Sequence, residues 1–232
     1  MNIVNMQNNN IGVLFDLDGV ILDTEGIYTE FWNQIEEKFP TGVKDFSKVI
    51  KGCCLEDILN RYFPKENHAK IIEILNDFQK AMQYRYFPYA IEWVKTLYDA
   101  GIPMCIVTSS DQEKMNAVYE QHPEFRGYFK AVIVGEMVEN AKPAPDCFLL
   151  GAKLLDIDIK NCYIFEDSIN GLKAALASGG HVIALSTTNP ASVLGDAKLI
   201  IPDFKDFTIE KMLKSYFEKM KIKLSVIGKT SI

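Results

Sequence analysis

Five short apolar runs recur along the chain, at Gly12–Phe15, Ile102–Val107, Ala131–Val134, Cys162–Phe165 and His181–Leu185. Each is too short for a core helix and lacks polar alternation, so each reads as a strand buried on both faces, as in a parallel sheet. Helical periodicities separate the later runs. Ile91, Val94, Leu97 and Tyr98 form one stripe closed by Gly101, and Met115, Val118 and Tyr119 form another. Phe148, Leu149, Ala152 and Leu155 follow Pro145, while Leu172, Ala175 and Leu176 are closed by Gly179. Proline near a first turn and glycine after a last turn are helix start and stop signals. Strands alternating with helices predict an α/β chain with helices on both faces of the sheet.

The segment from Glu25 to Phe87 breaks this alternation. Ile27, Phe31 and Ile35 repeat at helical spacing, as do Ile58 and Tyr62, and then Ile71, Ile74, Leu75 and Phe78. No strand pattern appears there. An all-helical block directly after the first strand is expected to be an inserted cap domain at residues 24–88, with Pro88 marking the return. The core then comprises residues 1–23 and 89–232, a Rossmann-like parallel sheet. The basic stretch 219–232 carries no assignment.

Composition narrows the function. The chain has 232 residues, 48% of them hydrophobic and 24% charged, enough for a sizeable core. Its net charge of -6 disfavours nucleic acid or an anionic membrane as a partner, since both select basic surfaces. An anionic substrate must therefore be attracted locally, by a cation or by oriented amides. Five cysteines without a C-x-x-C pattern read as reduced thiols. The polar start Met1–Asn10 has no apolar leader core, and no stretch approaches a membrane span, so a cytoplasmic monomer is expected.

Four segments that carry chemistry follow these apolar runs. In Phe15-Asp16-Leu17-Asp18-Gly19-Val20, two carboxylates leave the end of the first strand, where open α/β sheets place their ligands. A positioned Asp can form an aspartyl-phosphate, and a second Asp two residues on can protonate a leaving oxygen and then activate water. The same letters also suit a solvated acidic turn. Thr108-Ser109-Ser110 follows the second run, where hydroxyls and amides can hold phosphate oxygens or cap a helix. Lys142 sits in a loop stiffened by Pro143 and Pro145, able to screen a carboxylate from a phosphate dianion. Glu166-Asp167-Ser168 follows the fourth run, with Ser168 placed to cap the next helix. Carboxylates gathered on one sheet edge repel one another. A hard divalent cation and a lysine relieve that repulsion, and such a site suits phosphoryl transfer.

With these motifs in this order, the chain resembles the haloacid dehalogenase superfamily, in the β-phosphoglucomutase-like group with a helical cap. The resemblance runs from Gly12 to about Phe207. It implies Asp16 as nucleophile, Asp18 as acid/base, phosphate binding by Thr108 and the Ser109 amide, and orientation by Lys142. It implies Mg2+ held by the Asp16 carboxylate, the Asp18 backbone carbonyl and Asp167, with Glu166 either as a further ligand or hydrogen-bonded behind them. Ser110 and the cap-loop pair Lys51-Gly52 are expected beside the substrate. Dehalogenases and phosphonate-cleaving members of the superfamily lack an equivalent of Asp18, so a phosphate ester or anhydride is implied. The mutases of the group carry a His and an Arg where this chain has Tyr28 and Leu55, and the usual Pro-Gly hinge is Pro88-Tyr89. The resemblance therefore implies hydrolysis of a small phosphorylated metabolite, a sugar phosphate, with transfer within a sugar phosphate as the alternative. A Ser/His/Asp hydrolase is disfavoured by the missing G-x-S-x-G and by having His68, His122 and His181 alone to choose from.

Overall fold

A computed structural model describes residues 10–215; the basic stretch 219–232 lies outside them. All five expected strands form: β1 (Gly12–Phe15), β2 (Met104–Val107), β3 (Ala131–Ile133), β4 (Cys162–Glu166) and β5 (His181–Leu185). A sixth, β6 (Leu199–Ile201), was not foreseen. It has three residues, two of them half-buried, too little to stand out as an apolar run. The sheet is wholly parallel in the order β3-β2-β1-β4-β5-β6. The chain order reverses at β1, whose Phe15 faces Ile106 on one side and Phe165 on the other. Such a reversal opens a crevice at the C-terminal strand ends, where α/β sheets bind ligands.

Core helices α5 (Ala90–Asp99), α6 (Gln112–Gln121), α7 (Phe125–Tyr128), α8 (Asp146–Leu155) and α9 (Ile169–Ser178) cover the sheet, and four cap helices precede them in the chain. One face of the sheet is aromatic. Phe15 stacks on Phe165 at 4.9 Å between centroids, and Trp93 stacks on Phe204. The other face is lined by Leu14, Val107 and Ile164 against the small inner residues of α8 and α9, among them Ala152, Ala174 and Ala175. Three residues expected in the inward stripes are instead exposed: Tyr98, Leu149 and Leu176. Each lies one position beyond a buried residue, a rotation of about 100° that carries it past the edge of the apolar face. Trp93 and Ala174 take inward positions in their place.

The cap helices α1 (Glu25–Lys38), α2 (Phe46–Val49), α3 (Leu55–Tyr62) and α4 (Lys65–Ala81) pack around their own core of Phe31, Trp32, Ile35, Phe46, Ile71 and Leu75. Burying each of these side chains stabilises the block by roughly 1.5–3 kcal/mol. The two crossings between cap and core are zipped together: Asp23 N–H donates to Arg85 O at 2.8 Å, and Phe87 N–H to Ile21 O at 2.9 Å. At the hinge, Tyr89 adopts a left-handed backbone with φ of 65°. That conformation costs a non-glycine residue about 1–2 kcal/mol.

Candidate active site

The site is built from the segments that follow the sheet strands. Asp16 leaves β1 with its N–H donating to Phe165 O at 2.9 Å, which ties it to the end of β4. The chain then turns at Gly19, whose φ is 76° and whose missing Cβ leaves room for the Asp167 carboxylate. No other residue type meets both demands. Asp16, Glu166 and Asp167 converge, with a carboxylate oxygen from each lying within 4.8 Å of the others.

Lys142 enters this group from below. Its Nζ donates to Asp16 Oδ1 at 2.6 Å, to Glu166 Oε2 at 2.8 Å and to Val107 O at 3.3 Å, and the side chain is buried. Burial disfavours its charge, but Asp16 and Glu166 outweigh that and hold the ammonium protonated well above the usual lysine range. Glu166 is fully engaged. Its Oε1 accepts from the N–H groups of Asp167 and Ser168 and from Ser168 Oγ at 2.8–3.0 Å. Gly171 in the first turn of α9 makes room for that carboxylate, where a Cβ would overlap it.

Asp167 is held differently. Thr188 Oγ1 donates to its Oδ2, and Asn189 Nδ2 donates to its backbone O at 3.0 Å, yet its buried Oδ1 has no hydrogen-bond partner. Burial, Glu166 and Asp16 push the Asp167 carboxyl well above the ordinary range. Burial, followed by Glu166, does the same to Asp16 despite the attraction of Lys142. An orphaned buried oxygen and two carboxyls whose ionisation is suppressed by their neighbours describe a place that fits a hard cation.

Asp18 sits two residues on in a different environment. Thr24 Oγ1 and Lys114 Nζ donate to its Oδ1, and Ser110 Oγ donates to Oδ2 at 2.9 Å. Burial pulls its carboxyl upward, but Lys114, Thr24 and Ser110 outweigh this and hold it below the ordinary range. The two first-motif carboxylates are thus held in different environments, Asp16 among other carboxylates with Lys142 and Asp18 among three side-chain donors. With all four ionised, Asp16, Asp18, Glu166 and Asp167 against Lys142 and Lys114 would leave two negative charges unbalanced, which a divalent ion would neutralise.

The remaining expected residues line one cavity of about 110 Å³ between cap and core. Thr108 Oγ1 accepts from Ser110 N–H at 3.0 Å. Ser109 Oγ donates across the interface to Gly52 O at 3.0 Å. Helix capping falls to Asp111, which accepts from Lys114 N–H, so the three hydroxyls are free of that task. The Ser110 hydroxyl serves Asp18. Lys51 Nζ pairs with Glu25 Oε2 at 2.9 Å. Tyr28 and Leu55 both line the cavity. Among the described residues no arginine or histidine lines it.

A family profile described as haloacid dehalogenase-like hydrolase matches residues 13–185. The chain belongs to that family. A relative in Saccharomyces cerevisiae, described as a probable pseudouridine-5'-phosphatase, is 31% identical, covering 81% of this chain and 87% of its own length. The chloroplastic protein Suppressor of Quenching 1 of Arabidopsis thaliana is 28% identical over 87% of this chain, which spans 20% of that protein's length. The crystal structure of a HAD hydrolase, family IA, variant 3, from Entamoeba histolytica matches with a TM-score of 0.74 at 25% identity, covering 88% of this chain and 98% of that one.

In this haloacid dehalogenase-like hydrolase, sequence reading passed over Lys114, Thr187, Thr188 and Asn189. The last three follow β5 and needed only the rule already applied to the other strands. Thr187 Oγ1 donates to Gly19 O at 2.6 Å, bracing the first turn. Lys114 carries no such signal, because a lysine on a helix is ordinarily a solvated surface charge.

Proposed function

We propose that this chain is a magnesium-dependent phosphatase that hydrolyses a small phosphorylated metabolite, a sugar phosphate, through an aspartyl-phosphate (acyl phosphate) intermediate on Asp16. The observation that carries this reading is the pair of differently held carboxylates: Asp16, with Oδ1 fixed by Lys142 and Oδ2 left to react, and Asp18, two residues on, locked by three side-chain donors. The Asp16 oxygen attacks phosphorus and the bond to the leaving oxygen breaks. Asp18 gives that oxygen its proton. The arrival of a phosphate dianion beside Asp18 raises its affinity for the proton it must deliver. Asp18, now ionised, takes a proton from water, whose oxygen attacks phosphorus and frees Asp16. Thr108 and the Ser109 amide hold the phosphate oxygens. Asp16, Asp167 and the Asp18 carbonyl would hold Mg2+, with Glu166 fixing their surroundings, and the ion would neutralise charge on the transferring group.

The block 24–88 acts as a lid over this chemistry, with Lys51-Gly52 at its tip. Asn170 Nδ2 donates to Lys51 O at 3.1 Å, and Ser109 Oγ to Gly52 O, so the tip is docked on two core loops. Because one chain supplies both walls of the cavity, it acts as a monomer on a small molecule. Its cysteines are free, in keeping with the cytoplasm, and among the described residues no helix is long and apolar enough to cross a membrane.

Two positions of the cap favour hydrolysis over internal transfer. Retaining a sugar intermediate needs polar partners for its hydroxyls. Leu55 offers none, and the guanidinium of Arg61 lies outside the cavity, on the exposed side of α3. The test is product analysis across a panel of sugar phosphates, including β-glucose 1-phosphate primed with a trace of bisphosphate. Free phosphate is expected, and Asp16→Asn should lose at least about 99% of turnover, since an amide is a far poorer nucleophile. Rapid, near-stoichiometric glucose 6-phosphate would overturn the hydrolase assignment, and a tenth of wild-type turnover in Asp16→Asn would overturn the nucleophile.

A further inference from the structure

Each of the two first-motif carboxylates has its own buried lysine, and only Lys142 belongs to the motifs read from sequence. Lys114 projects from α6 with 1% of its surface exposed. Its ammonium has three protons and three partners. It donates to Asp18 Oδ1, donates to Ser110 Oγ at 3.0 Å, and lies 4.3 Å from the centroid of the Tyr28 ring. Ser110 in turn donates to Asp18 Oδ2 at 2.9 Å, so Lys114, Ser110 and Asp18 close a ring that grips both carboxylate oxygens. Ser110 and Lys114 are four residues apart, one helical turn, which is why one face of α6 and its lead-in can supply both.

We propose that Lys114 is a positioning residue for Asp18: it fixes the carboxylate where it delivers a proton to the leaving oxygen, and Tyr28 from the cap completes its seat. With its donors spent, Lys114 has none left for a substrate phosphate. Tyr28 lies on α1 of the cap and Lys114 on the core, so docking of the cap finishes the seat. Aromatic faces attract a desolvated ammonium. Without Lys114, the Asp18 carboxylate would keep only two neutral hydroxyl partners beside the negative Asp16, and its oxygens would swing away. The proposal rests on the acid/base role of Asp18, and the experiment separates the two.

The readout is kcat/KM for two substrates, which reports the steps up to phosphate transfer to Asp16. An alkyl phosphate has a leaving oxygen that must be protonated, whereas p-nitrophenyl phosphate releases a stable anion that need not be. General acid catalysis contributes about 100-fold or more. Lys114→Met should therefore lower kcat/KM for glycerol 3-phosphate by about 100-fold and for p-nitrophenyl phosphate by less than about fivefold. Asp18→Ala is the control. If Asp18→Ala shows no such leaving-group contrast, the acid role itself fails and the proposal falls with it. If Asp18→Ala shows the contrast but Lys114→Met loses both substrates equally, or neither, the positioning role alone is overturned. Should Lys114→Met fail to fold, Tyr28→Leu carries the test. A smaller loss with the same contrast supports the proposal, and an equal loss on both substrates, or none, refutes it.

Discussion

Replacing Gly171 by alanine sets two effects of opposite sign against each other. Gly171 lies in the first turn of α9, where alanine is the better helix former by at most about 1 kcal/mol. The added Cβ, however, would occupy the space of the Glu166 carboxylate. Glu166 is wholly buried and accepts from Lys142, Asp167 N–H, Ser168 N–H and Ser168 Oγ at 2.8–3.0 Å. If it moves, Lys142 loses one of its two carboxylates, and breaking a buried ion pair costs roughly 3–5 kcal/mol. The packing loss wins, leaving a net destabilisation of about 2–4 kcal/mol. For a chain of this size that lowers Tm by about 5–15 °C. Urea unfolding followed by tryptophan fluorescence in magnesium-free buffer measures the difference. Turnover should also fall by at least tenfold, because Lys142 positions Asp16. A Gly171→Ala protein as stable as wild type, with full turnover, would refute the claim that the Glu166 carboxylate depends on that vacant Cβ position.

Three further outcomes are expected. Exhaustive chelation should abolish phosphate release. Magnesium should raise Tm of the wild type but not of Asp167→Asn, since a ligand that binds only the folded state stabilises it and Asp167 carries the orphaned oxygen; undiminished activity in the chelated enzyme would contradict the metal assignment. Scattering with and without magnesium and a phosphate analogue should show a smaller radius of gyration in the bound form as the cap docks through Gly52 and Lys51, and identical profiles would contradict the lid.

Much of this protein was legible in its sequence because the relevant signals are local. A short apolar run bounded by turn signals reads as a buried strand, and the five such runs singled out here all form strands. Gly179 and Ser168 end and begin α9 as their types predict, with Gly179 at φ of 88° and Ser168 Oγ accepting from Gly171 N–H at 3.0 Å. Asp16, Asp18, Thr108, Lys142, Glu166 and Asp167 could be singled out because each lies in a segment that follows such a run. What the tertiary structure decided was the pairing. Lys142 meets Asp16 across 126 residues and Lys114 meets Asp18 across 96, and neither separation leaves a trace in local pattern. Those partners are set by strand order, which brings β1 beside β4, and by the rotation of α6, which turns one lysine inward. Lys114 becomes a buried counter-ion because a carboxylate from the loop after β1 and an aromatic ring from α1 meet it beside the hydroxyl of its own helix lead-in. Their coming together is a property of the packed chain, because the desolvation cost of the charge can be met only when all of them are in place.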